Sequence, residues 1–267
     1  MLRGFYTAAS GMIAQQRRQE TLANNIANQH TPGYKADQPT LRSFPELLML
    51  QTGTRSIPTA RRVNLPLNRT LGPLNTGVYV QETVPQFEQG DLRETGLTTD
   101  IAIVNGAFPD ENGNIFFTVQ NEDGEVRYTR NGNFTVDGQG NLVTNQGYYV
   151  LDDQGNPIET NGLEFHVTRE GIVQVDGEDI PLGIAYVENA HELTKEGNDL
   201  FNGAAGPIPA GVTYSIHQGY LENSNVNPLQ TMTAMMESYR MFETNQRVLR
   251  AYDESLDKAV NEIGRIG

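Results

Sequence analysis

The side chains in this sequence that could do chemistry are mainly carboxylates, because the chain holds 33 Asp and Glu residues, four histidines and no cysteine. Two carboxylates at a defined separation can act as the acid and the base of glycoside hydrolysis. The lack of cysteine excludes disulfides, thiolate metal sites and cysteine nucleophiles. The histidines lie too far apart along the chain to indicate a metal cluster: His30, His166, His191 and His217.

The segment at residues 110–114, Asp-Glu-Asn-Gly-Asn, has the alternating oxygen ligands of a calcium-binding loop. Such a loop needs glycine at its sixth place and glutamate at its twelfth, whereas Ile115 and Asn121 stand there. We therefore interpret the segment as a hairpin turn. The sequence also contains no Gly-rich phosphate loop, HExxH or GxSxG motif, so we predict no catalytic residue, no cofactor and no metal site.

The charge is distributed unevenly around a net value of −14. Residues 1–75 carry nine basic and three acidic side chains, whereas residues 76–224 carry five basic and 24 acidic ones. Because phosphate binding needs a basic surface, the acidic middle argues against nucleic acid as a partner. We find neither a membrane-spanning apolar run nor a signal peptide with its cleavage site, so these features alone predict a cytoplasmic protein that does not span a membrane.

The elements that position these side chains begin with a helix at the N-terminus. Over residues 2–26 the apolar residues recur at helical spacing, which predicts an apolar stripe. The stripe holds Leu2, Phe5, Met12 and Ile26. Gln16 and Gln19 interrupt it, as polar residues that fix the register do in coiled coils. Pro32 and Gly33 follow and end the helix.

A second helix is predicted at the C-terminus, starting at Asn227 and Pro228, a capping residue followed by a proline suited to the first turn. An unbroken heptad series holds Met235, Phe242, Leu249, Leu256 and Ile263. A second row at positions 232, 239, 246, 253 and 260 is interrupted by Gln246 and Asp253. Five heptads with one apolar row are typical of a coiled coil, so we predict that the two terminal helices pair.

The middle of the chain has a different pattern, in which short β-favouring runs alternate with Asn-Gly and Asp-Gly steps. These steps supply the positive φ angles of tight hairpins. We predict a mainly β fold with α-helical termini: N- and C-terminal helices paired as a coiled coil, plus a central antiparallel, hairpin-rich β domain. The boundaries are residues 1–33 for the N-terminal helix, 34–75 for an extended connector, 76–224 for the β domain and 225–267 for the C-terminal helix.

Several separated motifs resemble one family, the bacterial flagellar basal-body rod and hook proteins. The N-terminal motifs are Ser-Gly-Met-Ile-Ala-Gln-Gln at 10–16, Asn-Asn-Ile-Ala-Asn at 24–28 and Thr-Pro-Gly-Tyr-Lys at 31–35. The later ones lie at residues 87–96, 100–103, 128–134, 140–143 and 219–226, with Arg240, Phe242 and Asn245 in the last helix. The resemblance covers nearly the whole chain. Phe-Pro-Glu-Leu-Leu at 44–48 and Leu-Asn-Thr-Gly-Val at 74–78 are most similar to the distal-rod class.

The resemblance implies a structural, non-catalytic subunit of the flagellar rod in the basal body. Such subunits leave the cytoplasm uncleaved through the flagellar type III export gate and polymerise helically into a shaft that transmits torque from motor to hook. The implied partners are copies of the same chain, other axial proteins of the rod and hook, and the export gate. In the family, an unstructured Phe followed four residues later by an apolar residue is recognised by the gate, and Phe44 and Leu48 fit that pattern.

The apolar seam of the two helices is the predicted assembly site, with Tyr6, Ile13, Met236, Tyr252 and Ala259 on its exposed flanks. The asparagines at 24, 25 and 28 are expected to end the first helix, and the resemblance implies that they also contact neighbouring subunits. The alternative function is a secreted β-domain enzyme or glycan-binding module acting on the cell wall, which would keep its activity after deletion of both helices. The equally weighted alternative for Phe44 and Leu48 is that they pack the connector against the helices together with Leu47 and Leu50.

Overall fold

The computed structural model describes residues 2–57, 63–110, 112–197 and 199–263, without the side chains of residues 2, 53–68, 262 and 263. The helices are α1 (Leu2–Ala27) and α2 (Pro228–Ile263), with a short 3-10 helix at Ala190–Glu192. The strands up to the chain middle are β1 (Asp37–Ser43), β2 (Leu47–Ile57), β3 (Val63–Leu74), β4 (Val78–Pro85), β5 (Leu92–Glu94), β6 (Ile101–Asn105), β7 (Asn114–Gln120), β8 (Val126–Thr129), β9 (Phe134–Val136) and β10 (Leu142–Thr144). The remaining strands are β11 (Tyr149–Val150), β12 (His166–Val167), β13 (Ile172–Val175), β14 (Glu178–Pro181), β15 (Ile184–Val187), β16 (Thr194–Glu196), β17 (Leu200–Asn202), β18 (Tyr214–Gln218) and β19 (Tyr220–Glu222).

The chain divides into two compact units. We call residues 1–23, 39–83 and 232–267 the helical unit, and residues 24–38 and 84–231 the β unit. Paired terminal helices and a central antiparallel β region confirm the predicted fold class. No helix within the described ranges combines the length and apolar character needed to cross a lipid bilayer.

The β unit is built on one large antiparallel sheet. Its strands run in the order β16-β17-β8-β7-β11-β10-β9, and β15 also pairs with β7. Smaller sheets pair β12-β13-β14, β18 with β6, and β19 with β5. The centre of the main core is fully buried and apolar, with Ile101, Ile115, Phe117, Leu142, Val150 and Val173 among its members. This core is what lets the acidic middle of the chain fold despite its charge.

The Asp-Gly step at residues 176–177 forms the tight hairpin that the sequence predicts. Val175 pairs with Glu178 across the turn, and both central residues have positive φ, 49° at Asp176 and 84° at Gly177. That combination matches the twist of antiparallel strands, which is why this turn fixes the register of β13 and β14.

The helical unit contains a long hairpin that the sequence did not predict. Residues 34–75 were expected to be an extended connector, but β2 and β3 pair antiparallel from Leu47 opposite Leu74 to Ile57 opposite Val63. The first four residues of β2, at 47–50, are all apolar, so apolar and polar residues do not alternate there. Without that alternation, sequence periodicity gives no strand signal.

α1 and α2 pack against each other through small side chains. The facing pairs are Gly4 with Tyr252, Gly11 with Asn245, and Gln15 with Ser238. Their reversed order shows that the helices are antiparallel. A Cβ added at Gly11 would lie 3.0 Å from the Asn245 amide nitrogen, and one at Gly4 would overlap the Tyr252 hydroxyl. The helices therefore approach more closely than larger residues would allow.

Candidate functional site

The predicted seam residues lie along the two helices, where most of them are half-buried. In the described part, these are Phe5, Met12 and Ile26 on α1, and Met235, Phe242, Leu249 and Leu256 on α2. The side chains of the other two predicted members, Leu2 and Ile263, lie outside the described residues. The Ser238 hydroxyl adds a polar contact, because it donates to the carbonyl oxygen of Gln15 at 3.0 Å. The helix pair thus combines an apolar row with a row of small and polar residues.

The prediction of a second interface row on α2, at positions 232, 239, 246, 253 and 260, is wrong. Met232, Tyr239 and Val260 are 48%, 59% and 71% exposed. The row that faces α1 instead runs one residue earlier and holds Ser238, Asn245 and Tyr252. The prediction failed because it searched for large apolar residues, whereas helices in close contact place glycine and alanine at their interface. Gly4, Ala8 and Gly11 were the available signal.

The flanks of the helix pair are partly as predicted. Tyr6, Ile13 and Met236 are exposed, so their apolar surface is uncovered in the single chain. Tyr252 was also expected on a flank but is half-buried and faces Gly4, and Ala259 is half-buried as well. The exposed part of the pair therefore lies on the side of α1 away from α2 and on one edge of α2.

The asparagines at the C-terminal end of α1, two in its last turn and one just after it, make internal hydrogen bonds. Asn25 accepts from the backbone nitrogen of Asp37 at 2.9 Å and from the Tyr34 hydroxyl at 3.1 Å. The Asn28 amide donates to the carbonyl oxygen of Asn24 at 3.0 Å. Asn25 and Asn28 are buried, and of the three only Asn24 is exposed to solvent. Their hydrogen bonds hold the end of the helix and the segment that follows it.

A buried ionic network occupies the β unit where three distant segments meet. One oxygen of Glu222 lies 2.6 Å from Lys35 Nζ, and the other lies 2.9 Å from Arg130 Nε. The backbone nitrogen of Gly90 donates to the same carboxylate at 3.0 Å. Arg130 also donates to the carbonyl oxygen of Ile115 at 2.8 Å. All three charged side chains are buried, and we call them the Glu222 triad.

The Glu222 triad carries two positive charges and one negative charge. Burial alone would raise the pKa of Glu222, but Arg130 and Lys35 outweigh burial and hold that pKa below its ordinary value of 4.5. Burial lowers the pKa of Lys35 to about 8, because the attraction of Glu222 offsets burial and the repulsion of Arg130 only in part. The carboxylate is thus the group on which the network depends.

Glycine is required at residue 33, in the segment that brings Lys35 into this network. Gly33 has φ of 69°, and a Cβ there would overlap the backbone of Arg130 and Asn131. Its backbone nitrogen donates to the carbonyl oxygen of Glu222 at 2.8 Å. The sequence blocks at 31–35, 87–96, 128–134 and 219–226 therefore converge at one place in the β unit.

The structure places the two predicted export residues on the helical unit. Phe44 lies in the irregular segment between β1 and β2, and its ring contacts that of Tyr79 at a centroid distance of 5.2 Å. Leu48 lies in β2 and is 63% exposed. Both side chains are accessible in the folded chain.

The oxygen-rich segment at 110–114 is a turn in its described residues. The nitrogen of Gly113 donates to the carbonyl oxygen of Asp110, whose carboxylate accepts from the Tyr186 hydroxyl at 2.8 Å. Across the described residues, no three His, Asp or Glu side chains gather where a metal ion could be held.

Comparison with known proteins places the whole chain. A family described as "Flagella basal body rod protein" matches residues 5–35, and "Flagellar basal body rod FlgEFG protein C-terminal" matches residues 217–262. "Flagellar hook protein FlgE/F/G D1 domain" matches residues 112–175. The flagellar hook-basal body complex protein FlhO of Bacillus subtilis is 42% identical over 100% of both chains.

The chain belongs to the flagellar basal-body rod and hook protein family. The basal-body rod protein FlgG of Borreliella burgdorferi is 34% identical over 98% of both chains, and that of Agrobacterium fabrum is 32% identical over 95% of this chain and 96% of its own. The predicted resemblance is confirmed. This chain is a structural subunit of the flagellar basal-body rod and not an enzyme, which sets aside the alternative of a wall-acting enzyme.

The three regions that match the family models coincide with structural elements of the rod subunit. The N-terminal and C-terminal matches cover most of α1 and α2, and the remaining match covers the middle of the β unit. The sites that a structural protein needs are contact surfaces. As a member of the basal-body complex, the rod subunit assembles with axial proteins.

Proposed function

We propose that the rod subunit polymerises helically, with copies of itself and with other axial proteins, through its paired terminal helices, and so transmits torque from motor to hook. The observation that carries this proposal is the uncovered apolar surface of the helix pair, which includes Tyr6, Ile13 and Met236. An apolar stripe is stable in water only when another surface covers it. In this proposal, residues 1–33 and 225–267 form the assembly core, residues 34–75 are a connector that carries the β2–β3 hairpin, and residues 76–224 form the β domain.

The seam of this assembly core is assigned to Leu2, Phe5, Met12, Ile26, Met235, Phe242, Leu249, Leu256 and Ile263. The charge distribution supports the assignment, since residues 225–267 carry five basic and six acidic side chains and thus barely repel a neighbouring copy. The acidic residues are concentrated in 76–224, where they keep the surface of the β domain hydrated.

Electron microscopy of purified basal bodies tests the polymer. A strain would carry a single, epitope-tagged copy of the chain, labelled with gold-conjugated antibody. We expect label at a regular axial repeat along the rod, because a helical polymer contains many equivalent copies. Label confined to one level of the rod would contradict helical polymerisation while leaving membership of the rod intact.

We also propose that the chain leaves the cytoplasm uncleaved through the flagellar type III export gate, which recognises Phe44 and Leu48. Pro45 disfavours helix at Phe44, so the ring is offered from an extended segment. The accessibility of both side chains supports this proposal over a purely packing role.

The double variant Phe44→Ala, Leu48→Ala tests recognition, with Leu47→Ala, Leu50→Ala as the matched control because both leucines are exposed on the same strand. We expect secretion to fall only in the first variant, with unchanged thermal unfolding of the purified protein. Equal secretion of the two variants, or a loss of secretion that accompanies unfolding, would assign Phe44 and Leu48 to packing.

A further inference from the structure

The helix pair has an apolar groove along one edge. α1 contributes Gln19 and Ala23, and α2 contributes Met235, Met236 and Tyr239. The volume of the groove is about 660 Å³, so it has room for more than one large side chain. Met236 and Tyr239 are 57% and 59% exposed. An uncovered groove of this kind marks a contact surface.

The charges at the rim of the groove are balanced. The rim carries Glu20 and Arg240, one charge of each sign, so the groove does not select a strongly charged partner.

The same helix pair also exposes an apolar ridge on α1. Tyr6 and Ile13 lie one heptad apart on α1, 64% and 57% exposed. Each follows Gly4 or Gly11 by two residues, which turns it about 200° around the helix, away from α2. The ridge thus offers two apolar side chains to an apolar groove whose rim carries no net charge.

We propose that the ridge of one copy, Tyr6 and Ile13, docks into the groove of the next copy, between Ala23 and Met236. This inference rests on the proposed polymerisation and specifies its partner surfaces. Ridge and groove occupy different sides of one helix pair, so a chain cannot cover its own groove with its own ridge. A contact between two different surfaces is heterologous, and repeated without closure it produces a helical filament instead of a two-fold dimer.

Cysteine cross-linking tests the pairing, because the chain contains no cysteine and every cross-link comes from the introduced residues. Cells would co-express full-length Ile13→Cys and Met236→Cys copies, and basal bodies would be mildly oxidised before electrophoresis. We expect cross-linked dimers at least tenfold more abundant than in either single-variant strain. The second pair, Tyr6→Cys with Tyr239→Cys, checks the same contact independently if one of the first variants folds poorly.

The matched control is Ile13→Cys with Val248→Cys. Val248 is exposed but stands nine residues from Tyr239, about two and a half turns along α2, so it lies on the opposite side from the groove. Preferential cross-linking to Val248, or of Ile13→Cys with itself, would overturn the inference while leaving helical assembly intact. Absence of every cross-link from basal bodies that still hold both copies would overturn it too. Absence of the tagged chain from the rod would contradict the proposed function itself.

Discussion

Replacing Glu222 by glutamine removes the only negative charge of the Glu222 triad and leaves Lys35 and Arg130 buried. A glutamine keeps one acceptor oxygen, whereas the carboxylate receives hydrogen bonds from Lys35, Arg130 and the Gly90 nitrogen. Its amide group would also point a donor at a cation. Breaking a buried ion pair by removing one partner costs about 3–5 kcal/mol, and we expect Glu222→Gln to destabilise the β unit by that amount.

The destabilisation should depend on pH in a defined direction. In the variant, Lys35 can relieve the unpaired charge by losing its proton, and its pKa is already about 8 in the native network. Below this pKa, the cost of deprotonating Lys35 falls by about 1.4 kcal/mol for each unit by which the pH rises. We therefore expect Glu222→Gln to be more damaging at pH 6 than at pH 9.

Hydrogen exchange in increasing urea measures this effect locally, with peptides from β7 reporting on the β unit. Glu125→Gln is the matched control, because the Glu125 side chain is 60% exposed and its partner Arg127 keeps a second ion pair with Glu196. The loss of one solvent-exposed ion-pair partner costs about 0–1 kcal/mol. If Glu222→Gln lowers the stability of β7 no more than Glu125→Gln does, the Glu222 triad is not what holds the three segments together.

Two further predictions concern stability. Ala14→Leu should destabilise the helix pair by about 1–3 kcal/mol through overpacking, because Ala14 is buried. Ala251→Leu, on the exposed side of α2, should change the stability of the helix pair by less than about 0.5 kcal/mol. Hydrogen exchange of α1 amides distinguishes the two variants. The pKa of Glu222 is lower in the folded chain than in the unfolded one. The stability that Glu222 contributes is therefore complete above pH 4.5 and is lost as the pH falls through its folded-state pKa. Acid titration followed by circular dichroism should show a smaller loss of stability in Glu222→Gln.

The sequence predicted those parts of the fold that local signals determine. The start of α2 is one case, since Asn227 caps the helix by accepting from the nitrogen of Gln230 at 3.2 Å. The hairpin at Asp176 and Gly177 is another, because two positive φ angles follow from two neighbouring residues. The motifs at both ends also identified the family before any contact was known.

Other features depend on contacts between distant residues and left no local pattern. Lys35, Arg130 and Glu222 lie far apart in the chain, and each is a charged residue that sequence reasoning assigns to the surface. The row of α2 that faces α1 was missed for a related reason. Its Ser238 and Asn245 are polar, and they reach the interface only because Gly11 and its neighbours on α1 leave room for them.

Incorporation of Leu249→Asp into basal bodies tests most directly that the paired helices are the assembly site. Leu249 is half-buried in the middle of the apolar row, and a carboxylate there is an unpaired charge in the helix pair. Leu249→Met, which conserves volume and apolar character, is the control. We predict that the Asp variant is exported and that its β unit folds, but that it is absent from the rod and gives non-motile cells. The Met variant should be incorporated. Normal motility and normal rods with Leu249→Asp as the only copy would contradict the account.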